Sequence, residues 1–323
     1  MPHILTLTMN PAVDIATSTD HVTPTHKLRC SAPQRHPGGG GINVARVIQR
    51  LQGHCVALYP AGGASGVLFS NLLASERVTS LCIPIAGETR ESYTVHENAT
   101  GKEYRFVLPG PELARSEWQA CLDHVAKITP RPRFLVASGS LPPGVPTDFY
   151  AQLARLSKSL GIQLILDTSG EPLSAALEEG VFMLKPSLRE LRELLGQTLD
   201  SEQSQREAVE NILNKQQAQL VALSMGADGA WLFNAQGACY APALPVTVLS
   251  AVGAGDSFVG AMAWALARGL TEREAFCWGV AAGSAALASE GTGLCQVQEV
   301  ERLHGCVQLQ CSDRGPERGS EGR

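Results

Sequence analysis

Short β-rich runs, each followed by a segment of helical period, constrain this chain more than any other feature. HILTLT opens it, INVARVIQRLQ follows with Val44, Val47, Ile48 and Leu51 at i, i+3, i+4 and i+7, and HCVALYPAGG begins the next strand. FLVASGS, the helical TDFYAQLARLSKSLG, QLILDTSG, VFMLKPS, a helical stretch over about 188–216 and QLVALSMGADGAWLF continue the rhythm. Such alternation predicts an α/β fold, a mostly parallel sheet flanked by helices. Ligands of open parallel sheets bind beyond the carboxyl ends of the strands, so residues at those ends are the functional candidates.

Two segments break the rhythm, at about 15–36 and 88–108. In the second, Tyr93 and Val95 alternate toward an Asn-Ala-Thr-Gly-Lys turn and Tyr104 and Phe106 alternate away from it, which reads as a hairpin. Both are expected to form a small β lid over the ligand edge. Residues 1–304 read as one domain, and 305–323 as a polar tail expected to fray. With 323 residues, 44% of them hydrophobic, the chain can bury a large core. A net charge of -5 supplies no global attraction to nucleic acid or an anionic membrane, which leaves a small molecule as the expected partner. No apolar run reaches the roughly 20 residues that span a bilayer, and the N-terminus lacks a basic signal region, so a cytoplasmic protein is expected. The nine cysteines are scattered singly, with no C-x-x-C pair, and are expected to be reduced.

Two glycine-rich turns open onto helices. In SAVGAGDSFVGAMAWALARG, Asp256 follows Gly253, Ala254 and Gly255 where an apolar helix begins, and Gly269 marks its end. A helix N-terminus offers unpaired N–H groups and partial positive charge, a cradle for phosphate. A carboxylate in its first turn can take the proton of an attacking hydroxyl while those N–H groups hold charge developing on the phosphate. The same acid serves equally as a helix cap. PGGGGINVAR is the second such turn, with Asn43 just inside the helix as either a cap or a ligand. Neither turn matches the Walker pattern or G-x-G-x-x-G with its distant acid, which weakens both P-loop and dinucleotide readings.

The motifs in order are TLTMNPAVD (6–14), KLR (27–29), PGGGGINVAR (37–46), PAGGASG (60–66), GKEYRFVLPG (101–110), SGSLPPGV (138–145), LDTSGEPL (166–173), LKPSLRE (184–190), SMGADGA (224–230) and VGAGDS (252–257). In this order they resemble the ribokinase-like PfkB family of carbohydrate kinases, within it the minor bacterial 6-phosphofructokinase type, over about residues 3–300. The resemblance implies a Rossmann-like domain, a β lid that doubles as a homodimer interface, and Mg2+-ATP-dependent phosphorylation of a sugar phosphate. It makes Asp256 the base and Gly253, Ala254 and Gly255 its anion hole. Asp14, Gly39, Gly40 and Asn43 would hold the sugar, Lys27, Arg90 and Arg105 its phosphate, and Ser138 and Ser140 would touch substrate. Lys185, Ser187, Glu190, Ser224, Gly226 and Gly229 would meet ATP, with Glu190 organising magnesium through water. Ser250, Val252, Ala286, Ser289, Gly291 and Gly293 resemble a loop for a monovalent cation such as K+.

Many members of the family carry asparagine where this chain has Ser187 and threonine where it has Ala251. A serine keeps a donor and an acceptor but not the reach of an amide. Fructose 6-phosphate is the expected substrate, phosphorylated on its 1-hydroxyl; tagatose-6-phosphate kinase and 1-phosphofructokinase activities are the alternatives. A catalytically silent sugar-phosphate sensor is the alternative of a different class.

Overall fold

Strand β1 (Ile4–Leu7) is buried on both faces: Ile4 enters one apolar cluster and Leu5 the other, the two-residue period of a strand covered by helices on each side. A computed structural model of the chain describes residues 4–289, 291 and 293–313. After β1 the chain leaves the sheet for β2 (Ala12–Thr19) and β3 (Gln34–Gly38), then returns through α1 (Gly40–Arg50), β4 (Cys55–Ala61), α2 (Gly63–Ser75) and β5 (Thr79–Pro84). It departs again for the hairpin β6 (Arg90–Glu97) and β7 (Lys102–Val107). Helix α3 (Arg115–Lys127) leads into β8 (Phe134–Ser138), α4 (Phe149–Leu160), β9 (Gln163–Asp167), α5 (Gly170–Glu179), β10 (Val181–Leu184), α6 (Leu188–Leu195) and α7 (Glu202–Asn214). Strands β11 (Ala218–Ser224), β12 (Ala230–Asn234) and β13 (Gly237–Ala241), helices α8 (Ala254–Ala267), α9 (Glu272–Leu287) and α10 (Val297–His304), and the short β14 (Gln310–Asp313) complete the described chain.

The large sheet runs β14-β13-β12-β11-β10-β9-β8-β1-β4-β5, parallel from β11 to β5 and antiparallel from β11 to β14. The expected α/β architecture, mostly parallel and flanked by helices, is therefore present. A second sheet, β3-β2-β6-β7, holds the two segments that broke the rhythm, with the hairpin in the predicted place. Strand β2 begins earlier than the sequence pattern suggested, at Ala12 rather than about residue 15. The helical stretch over 188–216 divides in two because Gly196 adopts the left-handed conformation that ends α6. Among the described residues no helix is long and apolar enough to cross a membrane.

Two expectations about the C-terminus are corrected. Residues 310–313 do not fray: β13 would otherwise be a sheet edge with unpaired backbone groups, and β14 pairs with it. Residues 314–323 lie outside the described residues. In that pairing Cys239 faces Cys311, the Cα atoms are 4.0 Å apart, and the two form a disulfide, contrary to the expectation that every thiol is reduced. A register joining residues 72 apart leaves no trace in cysteine spacing.

Helices α1 and α8 lie side by side at the centre of one core because α8 presents a glycine where they touch. A Cβ built on Gly260 would stand 2.9 Å from the Cβ of Val47 and 3.2 Å from the carbonyl oxygen of Val44. Both neighbours are fully buried and branched or main-chain, so neither can swing aside. Gly260→Ala is therefore expected to cost about 1–3 kcal/mol, the usual range for overpacking a core. Urea unfolding measures it; an unchanged midpoint would show that the helices can separate freely.

Candidate active site

Parallel strands bring their carboxyl ends to one edge, and there the N-termini of α1 and α8 meet the small sheet around a cavity of about 300 Å³. Asp14, Arg90 and Arg105 line it from the small sheet, Gly39, Gly40 and Asn43 from the start of α1, and Val252, Gly253 and Asp256 from the start of α8. Ser138, Ser140 and Asp167 line it from the ends of β8 and β9, and Glu190 from α6. Most residues expected to hold substrate thus converge on one space.

Gly253 opens α8 in the left-handed conformation, φ +75°, which a side chain would resist; that turn places Asp256 in the helix's first turn. Asn43 is not a cap. Its own N–H bonds the carbonyl oxygen of Gly39, inside α1, and its side-chain Nδ2 donates to Asp256 Oδ2 at 2.9 Å. Arg90, the first residue of β6, donates to the carbonyl oxygens of Asn10, 2.9 Å, in the segment between β1 and β2, and of Leu108, 3.0 Å, just after β7. Asn10 in turn donates to Ser140 Oγ at 3.2 Å.

The acids in this cavity do not behave as surface acids. Burial pushes the Asp256 carboxyl up to about 7, and the charge of Asp167 adds to that, while the Asn43 hydrogen bond and Lys185 pull it down. Burial raises Asp14 to about 6 against the attraction of Arg90, Arg46 and Arg105. Lys185 is buried with its Nζ 3.1 Å from Asp167 Oδ1. Burial opposes its charge, but Asp167, Glu190 and Asp256 outweigh that and hold its pKa above the ordinary lysine value.

Ser187 and Glu190 form a capping box on α6: Ser187 N–H and Oγ donate to Glu190 Oε2, both at 2.8 Å, and the Glu190 N–H returns a bond to Ser187 Oγ. Ser224 lies beside this segment, its N–H 3.0 Å from the carbonyl oxygen of Pro186, and Gly226 and Gly229 form the turn after it. These three do not line the cavity, nor does Lys27, which lies on the exposed loop between β2 and β3. Ala254 and Gly255 are the first residues of α8. In the expected cation loop, Ser250 Oγ donates to Glu103 Oε2 of the small sheet and accepts from the Val252 N–H. The carbonyl of Ala286 accepts from the Ser289 N–H and that of Gly293 from Arg50, while Gly291 sits against Ala16. Ser92, Tyr93, Thr94, Thr168 and Ser169 also line the cavity without having been expected there, and two charged residues escaped sequence reasoning as well. Asp167 had a signal, an acid directly at the end of an apolar strand; Arg46, buried behind Asn43, had none.

The arrangement suits hydroxyl activation beside an anion cradle, and comparison with known proteins agrees. Residues 7–299 match the pfkB family carbohydrate kinase. The chain belongs to this family. An ATP-dependent 6-phosphofructokinase isozyme 2 of Mycobacterium tuberculosis is 47% identical over 302 residues, covering 94% of this chain and 89% of that protein. One of the same name from Escherichia coli is 42% identical, covering 94% and 98%. The crystal structure of Escherichia coli phosphofructokinase-2 with fructose-6-phosphate superposes with a TM-score of 0.89 at 40% identity, covering 95% of this chain and 99% of that one. Kinases of this family phosphorylate a sugar hydroxyl, so the chain is a phosphotransferase.

An Asp256 carboxyl held up to about 7 in the ligand-free protein gives its expected role as base a pH signature. Protonated Asp256 cannot accept a proton, so log kcat/KM, which follows the free protein, is expected to climb with unit slope at low pH and level off above about 7. A kcat/KM profile that stays flat down to about pH 5 would remove Asp256 from that role.

Proposed function

We propose that the protein transfers the γ-phosphoryl group of ATP to the 1-hydroxyl of fructose 6-phosphate, giving fructose 1,6-bisphosphate and ADP. The observation that carries this reading is the meeting of Asp256, at the N-terminus of α8, with Asp14 and two arginines around one cavity. Asp256 takes the proton of the 1-hydroxyl, whose oxygen attacks the γ-phosphorus in line with the departing ADP. The N–H groups of Gly253, Ala254 and Gly255 stabilise the negative charge on the transferring group. Asp14 accepts hydrogen bonds from the sugar hydroxyls, and Arg90 and Arg105 bind its 6-phosphate, which suits the planar fork of a guanidinium.

ATP enters from the side of Lys185, Ser187 and Ser224. Oxygen donors suit magnesium, and the carboxylates of Glu190 and Asp167 line the same cavity; they would hold Mg2+ there, and it would supply positive charge against the phosphates. For K+, the loop that holds Ser250, Val252, Ala286, Ser289, Gly291 and Gly293 offers carbonyl oxygens, although those of Ala286 and Gly293 already accept one hydrogen bond each. Val107 faces the cavity, whereas Phe106, its neighbour on β7, is exposed on the opposite face of the small sheet, an apolar group that supports a homodimer through that sheet. A cytoplasmic site of action accords with this chemistry.

Coupled ADP release with fructose 6-phosphate, tagatose 6-phosphate, fructose 1-phosphate and unphosphorylated hexoses tests the reading. Fructose 6-phosphate is expected to give the highest kcat/KM; sugar-phosphate binding with no ADP from any of them would make the protein a sensor. Asp256→Asn is expected to lower kcat roughly 10²- to 10⁴-fold, the loss typical of a general base, with sugar affinity largely kept. Turnover within about threefold of the parent would remove Asp256 from that role. Arg90→Ala is expected to raise the apparent KM for the sugar phosphate well before it lowers kcat, and an unchanged KM would place Arg90 outside the phosphate site.

A further inference from the structure

Arg46 is the largest of the fully buried side chains, 1% exposed, yet it has no place in the chemistry described above. Its Nη1 donates to the carbonyl oxygen of Pro37 and to Oδ1 of Asn43, both at 3.0 Å. Nη2 stands 2.6 Å from Glu76 Oε1 at the end of α2, and Arg50 meets the other oxygen of Glu76 at 3.6 Å. One guanidinium therefore ties the small sheet, α1 and α2 together, and its contact on α1 is Asn43, the residue that holds Asp256.

We propose that Arg46 is a positioning residue for the base: through a buried chain from Glu76 to Arg46 to Asn43 to Asp256, it fixes which end of the Asn43 amide faces the carboxylate. This deepens the reading of Asp256 as the base and rests on it. A guanidinium has donors and no acceptor, so the Asn43 atom it touches has to be the carbonyl oxygen. The NH2 group is then turned to Asp256 Oδ2, where a donor is required. Asn43 and Arg46 stand three residues apart on α1, the spacing that puts both side chains on one helix face. Without the guanidinium only Asp256 itself selects the end of the amide it meets: ionised it calls for the NH2 group, but protonated it can donate to the amide oxygen. The amide then no longer favours the carboxylate over the acid, Asp167 and Asp14 still repel its charge, and its proton is held more tightly. The donor also distinguishes the two carboxylate oxygens: Oδ2 is engaged, which leaves Oδ1 to take the proton of the sugar hydroxyl.

A purely structural role would have Arg46 join α1 to α2 and nothing more. The two roles separate in kinetics. Arg46→Lys keeps the positive charge that Asp14 and His36 both feel, but a single ammonium cannot span Pro37, Asn43 and Glu76 together. The expected result is a kcat at least about tenfold lower, an acid limb of log kcat/KM displaced to higher pH, and apparent KM values for fructose 6-phosphate and ATP within about threefold of the parent. In an Asn43→Ala background the same change should cost less than about twofold, because the relay is already broken. A folded Arg46→Lys protein with the parent's kcat and acid limb, or one whose loss is equally large in the Asn43→Ala background, overturns the proposal. If Arg46→Lys does not fold, Glu76→Gln decides on the same readouts: a lower kcat with a displaced limb supports the relay, and parent values overturn it. Asp256→Asn, assayed alongside, keeps the two readings apart. An active Asp256→Asn protein removes the base itself, whereas an inactive one beside a normal Arg46→Lys removes only the relay.

Discussion

The bond from Asn43 to Asp256 closes a gap between two helices that the sequence keeps 213 residues apart. It forms because α1 and α8 approach at Gly260 and because both helices begin at the same edge of the sheet. Everything at the site follows from that juxtaposition. Two helix N-termini converge on one cavity, so two positive dipole ends and two sets of unpaired N–H groups face it.

That convergence has an energetic cost. Asp14, Asp167 and Asp256 are drawn from water into one neighbourhood, with Lys185, Arg90 and Arg105 as counterweights. Folding raises the Asp256 carboxyl from 3.8 to about 7. A carboxyl shifted in that direction favours the folded state fully while both states are protonated, below the unfolded value, and the contribution is lost as pH rises through the folded one. At neutral pH the folded protein therefore carries a destabilised carboxylate. The same shift makes it a stronger base toward a sugar alcohol than a surface aspartate, so the stability forgone and the reactivity gained have one origin.

How far the letters anticipated this depends on the range of the interaction. The short apolar β-rich runs ILTL and FLVAS, and the period of 3.6 in INVARVIQRLQ, are written in adjacent residues and led directly to the parallel sheet and its ligand edge. Asp256 and Asn43 were legible because each follows a glycine-rich turn. Their mutual bond was not, since it depends on which helices become neighbours. Arg46 reads as an ordinary charged helix residue until Glu76 and Pro37 are folded around it, and Cys311 as part of a loose tail until β14 pairs with β13. Lys27, placed near phosphate by resemblance alone, lies on an exposed loop away from the cavity.

The departures from the family pattern illustrate the same distinction between backbone and side chain. Serine is about as good a helix cap as asparagine, and Ser187 performs that task for α6 while its hydroxyl fixes one oxygen of Glu190. The cap therefore survives the exchange; what changes is that the amide's second donor and longer reach are missing on the nucleotide side of the cavity. At Ala251 the main-chain carbonyl accepts a long bond, 3.5 Å, from the Ala254 N–H, a contact that does not depend on the side chain at that position. Neither change touches the Asn43–Asp256 contact. Differences between this chain and its relatives should then arise around the capping box of α6, while the Asn43–Asp256 contact remains governed by the two helices that Gly260 lets meet.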